Sequence, residues 1–268
     1  MATKTVLMTG FDRSGTSAVS RTLAAHPKIE LFMQPFNSGP LRRLLYQILA
    51  DDLVSEDDVQ FFSGLENGRI DTDYIKSHWF FEHSTTTKYI PGSLHIIKST
   101  ISHFKLPWLQ QRFPSIEVWG IWREPMDVLS SIFRNGFETW YENSFEELAD
   151  SVRQNERLNA VFGKFLHLTL NPIEQVALNL AVRCHHFFGH VPADQVIHFD
   201  EFCTDATSLN RFCRSSGLPE FDFRSFSDGD HNIIGRLDSG EKADPFHGKN
   251  LQVVNEILYP LRQAFSNH

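Results

Sequence analysis

The sequence is poor in cysteine. It has three in 268 residues, Cys184, Cys203 and Cys213, and they show no metal-ligand spacing. An odd, scattered set excludes a disulfide framework and fits reduced thiols in a cytoplasmic protein. Long apolar runs are lacking too. None approaches the ~20 residues of a membrane span, and the N-terminus shows no secretory apolar region or cleavage site. The expectation is a soluble, cytoplasmic chain with no membrane span. Positive charge is also short, with 25 basic against 33 acidic residues and a formal net charge of −8. That argues against nucleic acid as a partner, although a local basic pocket remains compatible with it.

Core material is plentiful. Hydrophobic residues make up 41% and phenylalanine alone accounts for 24 positions, enough for a sizeable core. Short apolar runs at 5–11, 29–33, 93–98, 116–122 and 195–199 read as strands. Their near-continuous apolar character suggests burial on both faces, as in a parallel sheet. Helical patterns lie between them, at 15–25, 102–113 and 125–135. Ser144 with Glu147 reads as a capping box opening a helix to about residue 163. Asn171, Pro172 and Glu174 form another strong start, for a helix running to about Gly189. A last helix is expected over roughly 249–265. The alternation predicts one α/β domain over 1–268, a P-loop-type parallel sheet flanked by helices. The stretch 137–190 is expected as a helical insertion capping the strand ends. The polar, glycine-rich segment 227–248 reads as a long loop.

Two motifs carry chemistry. "GFDRSGTS" (10–17) has the spacing of a phosphate-binding loop, between a strand and a helix, but Thr16 stands where the motif lysine belongs. Backbone N–H groups at a helix start form a ready anion site. Ser14, Thr16 and Ser17 add hydroxyls, and Arg13 adds a planar cation suited to a single tetrahedral anion. The plainer alternative is a Ser/Gly-rich turn. "WGIWREPMDVLSSIFR" (119–134) then runs from strand to helix, with Arg123 at the strand end and Ser131 eight residues on. Ligands of open α/β sheets bind outside the carboxyl ends of strands, which makes this a second anion site. The alternative is a local pairing of Arg123 with Glu124 or Asp127. Two separate anion sites suit a nucleotide that carries phosphates at opposite ends of its ribose.

These residues resemble the sulfotransferase family that uses 3′-phosphoadenosine-5′-phosphosulfate. "DRSGTS" looks like its 5′-phosphosulfate loop, and "WREPMDVLSSIFR" like its 3′-phosphate motif. "AAHPKIELFMQPF", "HIIKSTISHFKLPWLQQRFPSIEVWGIWREP" and, loosely, "VIHFDEFCTDATSLNRFCRSSGLP" follow the family order. The resemblance implies that Arg13, Ser14, Gly15, Thr16 and Ser17 bind the 5′-phosphosulfate, and Arg123 and Ser131 the 3′-phosphate. Lys98 matches a family lysine near the transferring group; the alternative is a strand-end lysine in solvent. Asn232, Gly235 and Arg236 match the C-terminal 3′-phosphate segment only weakly, with a surface loop as the alternative. The implied reaction is in-line transfer of a sulfuryl group to a hydroxyl or amine of a small molecule, glycan or lipid, with no metal. Arg13, Lys98 and the loop N–H groups would stabilise charge.

The general base does not carry over. The family's glutamate falls on Gln34 and its histidine on Thr100, and neither is a base. His103 is the leading replacement, followed by His78, His83 and His95. Asp200 and Glu201 resemble the family's acidic turn, where a structural role is expected. Two other readings stay open. One is a non-catalytic sensor of the 3′,5′-diphosphonucleotide, suggested by Gln34 and Thr100. The other is a P-loop kinase using Asp200 on magnesium, against which the missing loop lysine speaks. The acceptor and the oligomeric state are not legible in the sequence.

Overall fold

The structure, a computed structural model, describes residues 4–34, 46, 54–67, 69, 71, 92–224 and 245–266. Among these residues, five strands form one sheet: β1 (Lys4–Gly10), β2 (Ile29–Met33), β3 (Leu94–Ser99), β4 (Glu117–Trp122) and β5 (Val196–His198). The first helices in chain order are α1 (Thr16–Leu23), α2 (Glu56–Glu66), α3 (Leu106–Arg112), α4 (Pro125–Arg134), α5 (Glu138–Glu142) and α6 (Phe145–Gln154). They are followed by α7 (Glu156–Phe162), α8 (Pro172–Phe188), α9 (Phe199–Thr204), α10 (Thr207–Ser215) and α11 (Gln252–Ser266). The residues divide into two compact units. One comprises Met1–Trp122 with Asp194–Asp238, and the other Arg123–Ala193 with Ser239–His268.

The first unit holds the sheet. Its order is β2-β3-β1-β4-β5, and every pairing is parallel. The strands are buried almost throughout, in keeping with their near-continuous apolar character. Side chains alternate between faces. Val6, Met8, Ile96 and Ile121 point to one face and pack with Val19 of α1 and Phe212 of α10. Trp119 meets Phe212 edge-on, with ring centroids 4.9 Å apart. Thr5, of opposite parity to Val6, donates its hydroxyl to the carbonyl of Leu65 in α2 at 2.8 Å. That places α2 on the other face. There Phe62 contacts Trp108 and Phe113 at 6.0 and 5.5 Å. Each such buried ring contributes roughly 1.5–3 kcal/mol. Chain order fixes the switch point. From β1 the chain leaves toward β2, and from β4 toward β5, so the connections that leave the carboxyl ends of β1 and β4 run in opposite directions.

The second unit is helical. Its 17-residue α8 is buried over most of its length, with Asn179, Arg183 and His186 among the buried residues. Phe188 meets Phe265 of α11 at 5.2 Å. The expected cap at Asn171 is present and reciprocal. Asn171 Oδ1 accepts from the N–H groups of Ile173 and Glu174, and Glu174 Oε2 accepts from the Asn171 N–H.

The other expected capping box does not form. Ser144 donates its hydroxyl to the carbonyls of Trp140 and Tyr141 at 3.0 and 3.4 Å, because α5 ends just before it and offers those acceptors. The helix it opens stops at Gln154 instead of about residue 163. Asn155 turns extended and caps α7, accepting from the Leu158 N–H at 3.0 Å. Residues 102–113 also differ from a single helix. His103–Lys105 form a 3₁₀ turn before Pro107 allows α3 to start. No helix among the described residues is long and apolar enough to cross a membrane.

Candidate functional site

The loop between β1 and α1 is shaped by its two glycines. A methyl group on Gly10 would lie 2.7 Å from the carbonyl oxygen of Ile121 and 2.9 Å from Thr16 Cγ2. Only glycine lets β1 approach β4 this closely at the switch point. Gly15 caps α1 with φ +89°, a left-handed conformation. A methyl group there would also fall 2.0 Å from the Phe199 ring, which covers the loop. Ser14 ties the loop down, donating its N–H and its hydroxyl to the Phe11 carbonyl at 3.1 and 2.6 Å.

The start of α1 is suited to an anion. Its cap supplies no side-chain acceptor, and its first turn carries no acidic residue. The dipole and the leading N–H groups therefore favour negative charge. Arg13, at φ +69°, and Ser17 are exposed, whereas Ser14 and Thr16 are buried.

Lys98 lies in β3, paired in register with Met8 of β1 and Met33 of β2. It shares the α1 face with Ile96 and is buried, at 3% exposure. The solvent-exposed alternative for this lysine is thereby corrected: its strand is covered on both faces. Burial pushes its ammonium down to about 8, with the Asp12 carboxylate opposing and Arg21 adding to the fall.

Gln34 and Thr100, where the family pattern puts a base, meet each other. Gln34 Nε2 donates to Thr100 Oγ1 at 2.9 Å, and the Thr100 N–H donates to Gln34 Oε1 at 3.1 Å. The Gln34 N–H donates to the Lys98 carbonyl at 2.7 Å. This pair was invisible in the sequence, because 66 residues separate its members.

His103 is buried, with its ring 6.3 Å from that of Phe11, the first residue of the loop. His95 is of opposite parity to Lys98 and faces away from α1. Its Nε2 lies 3.4 Å from Glu30 Oε2 on the neighbouring strand. That contact is long for an ion pair, and burial wins, pushing the imidazole down to about 4 and leaving it neutral. His78, His83, Asn232, Gly235 and Arg236 lie outside the described residues.

The second motif begins where β4 ends. Arg123 follows Trp122 directly, and Pro125 starts α4 with its fixed φ. Ser131 is buried in α4 and Ser130 half-buried. Glu124 also has a partner far along the chain. Its Oε1 accepts from Arg262 Nη2 and Nε at 2.8 and 3.1 Å. Asp200 and Glu201 are exposed in the first turn of α9, where acidic side chains complement the helix dipole. Among the described residues, no three His, Cys, Asp or Glu side chains gather as a metal site would need.

Parallel α/β sheets with a loop at the switch point form a broad class of proteins that bind ligands at the carboxyl ends of their strands. The sequence match narrows it. Residues 5–178, which include both motifs, match the sulfotransferase family, and the chain belongs to that family. Two solved structures are similar. One is a sulfotransferase from Alicyclobacillus acidocaldarius, 18% identical, with a TM-score of 0.43 over 86% of this chain and 89% of that one. The other is the sulfotransferase domain of the Synechococcus PCC 7002 olefin synthase, 13% identical, with a TM-score of 0.46 over 99% and 94%. No curated protein matches the chain in sequence.

Proposed function

We propose that the chain is an enzyme that moves a sulfuryl group from 3′-phosphoadenosine-5′-phosphosulfate to a hydroxyl or amine of an acceptor, as a single sulfotransferase-like domain. The observation that carries this reading is the family match across both anion motifs. The local geometry fits it. The uncapped, acid-free start of α1, the exposed Arg13 and the hydroxyl of Thr16 suit a terminal phosphosulfate. Arg123 and Ser131 take the 3′-phosphate. Lys98 offers the cation nearest in kind to the missing loop lysine, from the next strand instead of the loop.

The donor supplies the activated sulfuryl group. Arg13 and the α1 N–H groups orient it and hold charge on its oxygens. Lys98, protonated below about pH 8, stabilises the leaving phosphate. His103, buried beside Phe11, is the candidate to take the acceptor proton. The Gln34–Thr100 pair supports a second reading, a sensor of the desulfated nucleotide, because an amide and a hydroxyl fill the places where the family keeps a base.

Thermal-shift titration with 3′,5′-diphosphoadenosine, beside ATP with magnesium, tests the reading. The diphosphate should raise Tm, and Arg123→Ala should abolish most of the rise. A rise with ATP and magnesium alone sinks the proposal. Binding without transfer to any acceptor in a broad panel favours the sensor.

A further inference from the structure

Gln34 stands out by its backbone. It sits just past β2 with φ +53°, and it is not glycine. Residues other than glycine, asparagine and aspartate seldom adopt that conformation, and it persists only where surrounding structure holds it. Three hydrogen bonds hold it here. The main-chain N–H donates to the Lys98 carbonyl at 2.7 Å, and the side-chain amide exchanges two bonds with Thr100 at 2.9 and 3.1 Å.

All three reach the same short segment, Lys98–Thr100, at the carboxyl end of β3. The amide chemistry is specific. Gln34 donates a hydrogen bond to the Thr100 hydroxyl and accepts one from the Thr100 N–H, so one side chain ties two groups of one residue. Lys98 and Thr100 are both 3% exposed, so the segment is sealed as well as tied.

We infer that Gln34 and Thr100 are positioning residues that lock the end of β3 and so hold Lys98 in its buried place at the loop. The inference rests on the sulfotransferase reading for what Lys98 does, and on geometry alone for how it is held. Without the side-chain bonds, only the main-chain bond to the Lys98 carbonyl is left to hold Gln34 in its left-handed conformation. The backbone relaxes, the bond to the Lys98 carbonyl goes with it, and water reaches the amine. The lysine then titrates closer to its ordinary value of 10.5, away from about 8.

The test is an NMR titration of Lys98 Cε in protein carrying ¹³C-labelled lysine, with Lys98→Arg to assign the signal. Thr100→Val keeps the shape and removes the hydroxyl acceptor. Gln34→Met keeps the length and removes the amide. Both should move the Lys98 midpoint upward, and Thr100→Ser should leave it in place. An unmoved midpoint in both variants, or a Thr100→Ser midpoint displaced as far as that of Thr100→Val, overturns the inference.

Should the first two variants fail to fold, the wild type gives a second measurement. The Gln34 side-chain amide and Thr100 N–H signals should shift with the Lys98 midpoint, and their indifference to it overturns the inference equally. Failure of the chain to bind 3′,5′-diphosphoadenosine would sink the functional reading and leave this titration intact.

Discussion

Lys98 is a buried amine, and its burial has a sign. In the unfolded chain it holds its proton up to about 10.5, whereas in the folded chain it releases it near 8. Between those values the unfolded state binds more protons, so stability rises with pH across the window and is lost as pH falls through 8. Lys98→Met removes the penalty of a buried charge at neutral pH. It should stabilise the free protein by about 3 kcal/mol and flatten its pH dependence above 8. The same variant should weaken 3′,5′-diphosphoadenosine about 10- to 100-fold, the worth of a charged hydrogen bond. Urea melts at pH 7 and 10, with calorimetric titration of the diphosphate, check both halves. A less stable Lys98→Met at neutral pH would contradict the burial argument.

Gly15 serves two purposes that can be separated at the same scale. Its φ of +89° disfavours any side chain, and the Phe199 ring leaves no room for a methyl group. Gly15→Ala should cost about 2–4 kcal/mol, of which about 1 kcal/mol is backbone strain and the rest overpacking. Adding Phe199→Ala should recover the overpacking part but not the strain. A double-mutant cycle in urea measures the coupling. Strict additivity would mean that Phe199 does not limit the site.

At the scale of elements, two capping boxes that look alike in sequence behave differently. Asn171 caps α8 through two N–H groups, and Asn171→Ala should cost about 1 kcal/mol. Ser144 spends its hydroxyl on the carbonyls of Trp140 and Tyr141, so Ser144→Ala should cost clearly less. Equal losses in thermal melts would overturn that contrast. The reason is α5, a five-residue helix whose end supplies acceptors that a pattern read from Ser144 onward does not contain.

The five strands were legible because each is a short, largely apolar run, and a parallel sheet buries both faces. The loop was legible because its glycines, arginine and hydroxyls are contiguous. α2 was missed although Ser55 and three acids mark its start, with the Asp58 N–H donating to Ser55 Oγ at 3.2 Å. Its aromatic pair Phe61 and Phe62 reads equally well as strand. The burial of Lys98 was not legible either, since it depends on which strands flank β3. The Gln34–Thr100 pair depends on the same register.

At the scale of the whole molecule, acid should act on both units. In the first, burial holds His95 neutral, with a value of about 4. In the second, His186 is held at about 4 by burial, with His190, Arg157 and His185 adding in the same direction. His186 and His190 stand with ring centroids 4.9 Å apart, and both nearby cations and burial resist a further charge. The unfolded chain takes up protons near 6.5, so each group lowers stability as pH falls from there toward 4. Each contributes on the order of 2–3 kcal/mol across that window, a large part of an ordinary domain's margin. The protein should therefore begin to lose stability between about pH 6.5 and 5, above the range in which most carboxylates titrate. His186→Gln should flatten the slope of stability against pH between 6.5 and 4 without changing it above 7. NMR of the histidine Cε1 protons decides the matter directly: a His95 or His186 midpoint near 6.5 would remove the basis for acid lability in the unit that carries it.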